Sequence, residues 1–229
     1  MPEIELFTAS RSPFAQRVHL ALLEKGIDFW RTEVDLANKP EWFLVISPMG
    51  EVPVIRHEDR FITDSTVILE YLEDVYPTPA LRPKDAALRA VTRFWIEYAD
   101  ERLVPAMRRA AKSLRKEGTA ASAELRDRLI FIEREGLARC GRGPYWLGQE
   151  LGLLDIVFYP LFERLPAILH DQPAGLSALS IRLRYWLDAM RDRASVRATQ
   201  RPVELHANAL GAKPDSQRRR VGNVEYLHA

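Results

Sequence analysis

The chain has 229 residues, 47% hydrophobic and 28% charged, the composition of an ordinary globular protein with one large or two small domains. With 33 basic against 32 acidic residues and a net charge of +1, no global field draws it to nucleic acid or to an anionic membrane. The one cysteine, Cys140, excludes an intrachain disulfide framework and reads as a buried structural thiol.

The opening MPEIELF alternates like a strand and lacks a basic segment followed by an apolar run, and no apolar stretch reaches the ~20 residues that cross a bilayer. A soluble, cytoplasmic protein is the expectation. Ile4 and Leu6, alternating with Glu3 and Glu5, predict a first strand. Pro13 suits the first turn of a helix, which Val18, Ala21, Leu22 and Lys25 continue until Gly26 stops it. Ile27 to Val34 reads as a second strand. After a polar connection through Asn38-Lys39-Pro40, Val52-Pro53-Val54-Ile55 and Phe61-Ile62-Thr63 predict a hairpin across His57-Glu58-Asp59-Arg60. Asp64 or Ser65 caps a helix carrying Val67, Ile68, Tyr71, Leu72 and Val75. The order is βαβ, then ββα.

Pro77, Pro79 and Pro83 mark a linker, and no strand pattern follows it. Amphipathic segments run from Ala86 to Lys116 and from Ala120 to Cys140, Gly141-Arg142-Gly143-Pro144 breaks the pattern, and helices resume near Leu153 and near Leu176. The basic run Arg218-Arg219-Arg220 sits in what reads as a solvated tail.

This plan resembles the glutathione transferase superfamily, and its wording is closest to the omega-like and bacterial branches. Ser12-Pro13-Phe14-Ala15-Gln16-Arg17-Val18 is similar to the omega-type Cys-Pro-Phe-Ala-Gln-Arg motif with serine in place of cysteine. Lys39-Pro40-Glu41-Trp42-Phe43, Pro48-Met49-Gly50-Glu51-Val52-Pro53-Val54, Asp64-Ser65, and Leu147-Gly148 followed by Asp155 match in order over residues 4 to 195. The resemblance implies an α/β thioredoxin-like N-terminal domain over residues 1–77, an all-α domain over 86–200 forming the electrophile site, and a C-terminal tail over 201–229. It also implies glutathione as co-substrate, a small hydrophobic electrophile, a homodimer, and no metal, nucleic-acid or membrane partner.

Glutathione reacts as its thiolate, and with a thiol pKa near ~8.5 only about 3% is ionised at pH 7. Lowering that value by about two units needs roughly 2.7 kcal/mol and ionises about three-quarters. A serine hydroxyl and the free N–H groups of a helix start are of that strength together. Ser12 is therefore the candidate catalytic residue, with Ser10 the runner-up and simple helix capping the competing reading. Serine also cannot form a mixed disulfide, which speaks against omega-type thiol transfer.

The resemblance further implies that Val52, before a cis Pro53, pairs with the cysteinyl part of glutathione like an added strand, with an ordinary trans Pro at a strand start as the competing reading. Ser65 and Asp64 would take the γ-glutamyl carboxylate and ammonium groups, and Lys39 the glycine carboxylate. Phe14 and Tyr98 are candidate apolar lining of the electrophile site, and Arg108 a group that orients an anionic electrophile. The family's Ser or Thr three residues before Asp155 is Gly152 here, which predicts a weaker cap of purely folding significance. A second enzymatic reading uses the same thiolate for isomerisation, dehalogenation or ether cleavage; a third is a non-catalytic binding protein resembling the stringent starvation proteins, against which the presence of Ser12, Lys39, Val52, Asp64 and Ser65 speaks.

Overall fold

A computed structural model describes residues 2–113, 119–169 and 180–202. Its first half is a four-stranded sheet in the order β2-β1-β3-β4, built from β1 (Ile4–Thr8), β2 (Phe29–Glu33), β3 (Val54–His57) and β4 (Arg60–Thr63). β1 runs parallel to β2, with Leu6 opposite Arg31, and antiparallel to β3, where Leu6 faces Ile55. The parallel pair needs a crossover, which α1 (Pro13–Glu24) supplies. The tight hairpin between β3 and β4 turns on Glu58 at φ 54, so both strands reach further into the polar stretch than the sequence pattern suggests.

Period-two alternation sorts the strands between two cores. Ile4, Leu6 and Ile55 pack against Val18, Leu22, Ile68 and Leu72 of α1 and α3 (Ser65–Val75). Phe7 and Val54 face the other way, onto Phe43 of α2. That helix, Glu41–Ile46, is absent from the sequence reading. It buries only Phe43 and leaves Trp42, Leu44 and Val45 exposed, so it shows no amphipathic stripe.

The linker is tied down by a buried ion pair: Lys25 Nζ lies 2.6 Å from Glu73 Oε1 and donates to the carbonyls of Tyr76 and Pro79. The second half is helical, with α4 (Ala86–Tyr98) passing through a widened π turn at Ala99–Leu103 into α5 (Val104–Ser113). A similar turn at Ile132–Leu137 joins α6 (Thr119–Phe131) to the short α7 (Ala138–Cys140). Then come α8 (Leu153–Ile168), α9 (Ile181–Arg191) and α10 (Ala194–Thr199). The expected helix start near Leu176, the end of the first amphipathic segment at Lys116 and the Arg218–Arg220 run lie outside the described residues.

α8 is apolar on nearly every side and forms the centre of this half, packed on α1. Asp155, buried near its start, accepts from the N–H groups of Gly152 (2.8 Å) and Trp146 (2.8 Å) and from Trp186 Nε1 (2.7 Å). Gly152 contributes no side-chain cap, so this helix start is closed by Asp155 on the Gly152 N–H and by the Leu81 carbonyl, which accepts from Leu153 N–H at 2.9 Å. Cys140 is half-buried, not fully buried as expected, and burial pushes its thiol up.

Candidate active site

The loop between β1 and α1 holds Ser12 at several points. Ser12 N–H donates to the Ala9 carbonyl at 2.8 Å, and its extended backbone (φ −82, ψ 119) makes it the N-cap of α1. Ser12 Oγ accepts from Ala15 N–H at 3.2 Å. Capping uses an oxygen lone pair only, so the hydroxyl proton stays available as a donor. Capping and thiolate stabilisation are therefore compatible at this residue. Ser10, in the same loop, has its N–H engaged by Glu33 Oε1 at 2.5 Å.

Val52–Pro53 is a cis peptide, and no described group hydrogen-bonds to the Val52 N–H or C=O. Ser47 Oγ clips the preceding turn, donating to the Glu51 carbonyl (2.9 Å) and accepting from its N–H (3.0 Å). Gly50 has φ +63, and a Cβ there would lie 3.0 Å from Lys39 Nζ. The glycine thus lets the exposed Lys39 fold over the turn at Gly50. Asp64, at φ 71, caps α3 through Oδ1, which accepts from Thr66 N–H (2.7 Å) and Val67 N–H (3.1 Å). Oδ2 takes no part in the cap.

Ser65 is buried, and its Oγ accepts from Arg17 Nη1 at 3.4 Å. Arg17 is wholly buried, and also donates to the Val157 carbonyl (3.2 Å) and Asp100 Oδ1 (2.8 Å). With an arginine filling its acceptor side, the Ser65 hydroxyl keeps its proton for a ligand.

The electrophile-site candidates separate. The Phe14 ring lies under the Arg17 guanidinium at 4.9 Å. Tyr98 stacks on Phe131 with centroids 5.1 Å apart and meets Trp95 edge-on, as part of the helical core. Arg108 is exposed on α5. None of the three lines the cleft that opens beside Ser12. That cleft is bounded by the β1–α1 loop, by Gln16 and His19 of α1, by Arg31 and Glu33 of β2, and by Thr199 and Arg201. Burial, then the fields of Arg31 and Arg201, bring His19 down to about 4, leaving it neutral at pH 7. Neither arginine has an ion-pair partner among the described residues.

A second buried arginine, Arg164 of α8, reaches the Ser12 loop. Its Nη1 donates to Gln16 Oε1 (2.7 Å) and the Pro160 carbonyl (2.5 Å), and its Nη2 to the Arg11 carbonyl (3.3 Å). Sequence reasoning gave no role to Arg17, Asp100 or Arg164. Arginine is mostly exposed, and the signal that marks these three, hydrogen bonds of two buried arginines to partners 48 to 153 residues away, exists only in the folded chain. Among the described residues, no group of three or more His, Cys, Asp or Glu could hold a metal, and no helix is long and apolar enough to cross a membrane.

A family model described as "Glutathione S-transferase, N-terminal domain" matches residues 11–75, the stretch that carries Ser12, Lys39, Val52, Asp64 and Ser65. Glutathione S-transferase omega-1 of Sus scrofa is 30% identical over 208 residues, 89% of this chain and 83% of that protein. Glutathione S-transferase U7 of Arabidopsis thaliana is 32% identical over 156 residues, 68% of this chain and 67% of that one. Among solved structures, rice GST1 in complex with glutathione superposes with a TM-score of 0.81 at 30% identity, covering 91% of this chain and 95% of that one. The tau-class glutathione S-transferase of mango, Mangifera indica, gives the same TM-score at 25% identity, covering 90% and 96%. Its fold, the alternation of an α/β and a helical half, and these likenesses along most of its length place the chain in the glutathione S-transferase family of enzymes.

Proposed function

We propose that the protein conjugates the thiolate of glutathione to small hydrophobic electrophiles, with Ser12 stabilising the thiolate. The observation that carries this reading is the state of the Ser12 hydroxyl: its oxygen accepts from Ala15 N–H while its proton is left to donate into the cleft. A hydrogen bond to sulfur at a helix N-terminus supplies most of the roughly 2.7 kcal/mol that two pKa units require. Free groups on Val52, the Lys39 ammonium folded over Gly50, the carboxylate of Asp64 and the hydroxyl of Ser65 support glutathione binding. In the reaction the thiolate attacks the electrophilic carbon, and the leaving group departs with the bonding electron pair.

The cleft's charge refines the second substrate. Arg31 and Arg201 stand beside a neutral His19, and Glu33, the one acid among the described lining residues, accepts from Ser10 N–H. This favours an aromatic electrophile that also bears a carboxylate, the anion-orienting role expected of Arg108. The working form in this reading is a cytoplasmic homodimer, with glutathione bound by residues 1–77, the electrophile site contributed by residues 86–200, and a tail over 201–229. Exposed Phe61, Val67, Leu88 and Phe94 on β4, α3 and α4 support the dimer.

Titration with glutathione by calorimetry, combined with thiolate absorbance against pH for wild type and Ser12→Ala, tests the proposal. The expected result is binding with a thiol pKa about two units below that of free glutathione, lost in Ser12→Ala. Absence of binding at millimolar glutathione would overturn it.

A further inference from the structure

The peptide unit between Arg11 and Ser12 is held at both ends. Its N–H, on Ser12, donates to the Ala9 carbonyl at 2.8 Å, and its carbonyl, on Arg11, accepts from Arg164 Nη2 at 3.3 Å. Arg164 is itself 3% exposed and fixed by three further groups, Gln16 Oε1, the carbonyl of Pro160 and Glu163 Oε2, which lies 3.5 Å from its Nη1. Gln16 is oriented in turn, since its Nε2 donates to Glu163 Oε2 at 3.0 Å. Gln16 and Ser12 line the same cleft one helical turn apart. The guanidinium therefore sits behind the wall that presents Ser12 Oγ, without facing the cleft itself.

We infer that Arg164 is a positioning residue for Ser12: an arginine of the helical half that clamps the Arg11 carbonyl and so sets the direction of the Ser12 hydroxyl toward the glutathione sulfur. Rotation of this one peptide plane swings Ser12 Oγ, and a hydrogen bond to sulfur depends steeply on donor direction. Burial pushes Arg164 down to about 10, which leaves it charged at neutral pH and able to donate through both Nη atoms. A lysine here offers a compact ammonium without the planar fork, so it does not reproduce the two-nitrogen contact that holds Gln16 through Nη1 and the Arg11 carbonyl through Nη2. The geometry thus couples the orientation of the helical half to thiolate stabilisation in the first half.

The inference rests on Ser12 acting on the thiolate, and a double-mutant cycle separates the two. Arg164→Lys and Arg164→Gln are compared with wild type, Ser12→Ala and the corresponding double variants. The readouts are the thiol pKa of bound glutathione, its Kd, and kcat/KM with 1-chloro-2,4-dinitrobenzene. The expected result is a raised thiol pKa and about a tenfold loss of kcat/KM at nearly unchanged Kd, with no further change when Arg164 is substituted in the Ser12→Ala background. Equal losses in both backgrounds would make Arg164 a structural residue only and overturn the inference, as would a wild-type thiol pKa in the folded Arg164→Lys protein. A thiol pKa that Ser12→Ala does not move would instead remove the underlying Ser12 reading. Should both Arg164 variants fail to fold, Gln16→Leu removes the group that aims the guanidinium. A raised thiol pKa in that protein is then expected, and an unchanged one counts against the clamp.

Discussion

Arg17 Nη2 donates to Asp100 Oδ1 at 2.8 Å across the join between the two halves of the chain. The partners are unequally placed: the Arg17 side chain is wholly buried, whereas the Asp100 side chain keeps 29% of its surface in water. Removing either partner therefore has different consequences. Without Asp100 a buried cation loses its counter-charge, while without Arg17 the carboxylate can hydrate.

Asp100→Leu is expected to cost about 3 kcal/mol of unfolding free energy, and Arg17→Met roughly half of that, in urea titrations followed by tryptophan fluorescence. The double variant should cost less than the sum, because the uncompensated charge is then gone. Only the substitutions at Arg17 should also weaken glutathione binding, through the Ser65 hydroxyl that it orients.

Asp100 also shows where legibility in the sequence ended. The four strands, the helices α1 and α3 and the helical second half were legible, because apolar residues recur in them at strand or helix spacing or between turn residues. α2 was not, since its six residues bury Phe43 alone. The widened turn at Ala99–Leu103 inserts a residue without interrupting the helical pattern, yet it is the turn that carries Asp100. The Ser12 cap was legible from Ser-Pro chemistry. The Arg17 and Arg164 contacts were not, because composition and spacing do not distinguish a buried arginine from the many on the surface.

Asp155 makes a pH-dependent contribution. Burial lifts its carboxyl from 3.8 to about 6, against the pull of its N–H donors, Gly152 and Trp146 foremost. Because the folded value is the higher one, the folded chain holds an extra proton between those two values, and stability falls as pH rises through that window. The whole window corresponds to about 3 kcal/mol. Denaturant midpoints measured from pH 3.5 to 7 should show this slope, and Asp155→Asn should flatten it while lowering stability at every pH through the poorer cap.

The arginine pair predicts a charge preference in the second substrate. Relative to neutral 1-chloro-2,4-dinitrobenzene, 4-chloro-3-nitrobenzoate should gain kcat/KM from Arg31 and Arg201, and combined alanine substitution should reduce its advantage about threefold to tenfold. The same advantage should shrink as ionic strength rises, since Arg31 is exposed and screened by salt. A ratio unmoved by both treatments would show that the two cations do not reach the electrophile.

Ser12→Cys tests where position 12 points by changing the chemistry it can perform. A thiol at a helix N-terminus is shifted toward the thiolate, and the first turn of α1 offers that environment. The thiolate attacks one sulfur of glutathione disulfide, a glutathione thiolate leaves, and a mixed disulfide remains on the protein. A second glutathione thiolate then attacks the glutathionyl sulfur, releases glutathione disulfide and restores the thiolate. Exposed to glutathione disulfide, the variant should carry one glutathionyl group at position 12 that wild type lacks, detected by mass spectrometry after acid quench. The adduct requires the side chain at position 12 to lie against the glutathione sulfur. A folded variant that still binds glutathione but forms no adduct would move the thiolate contact elsewhere in the loop, to Ser10.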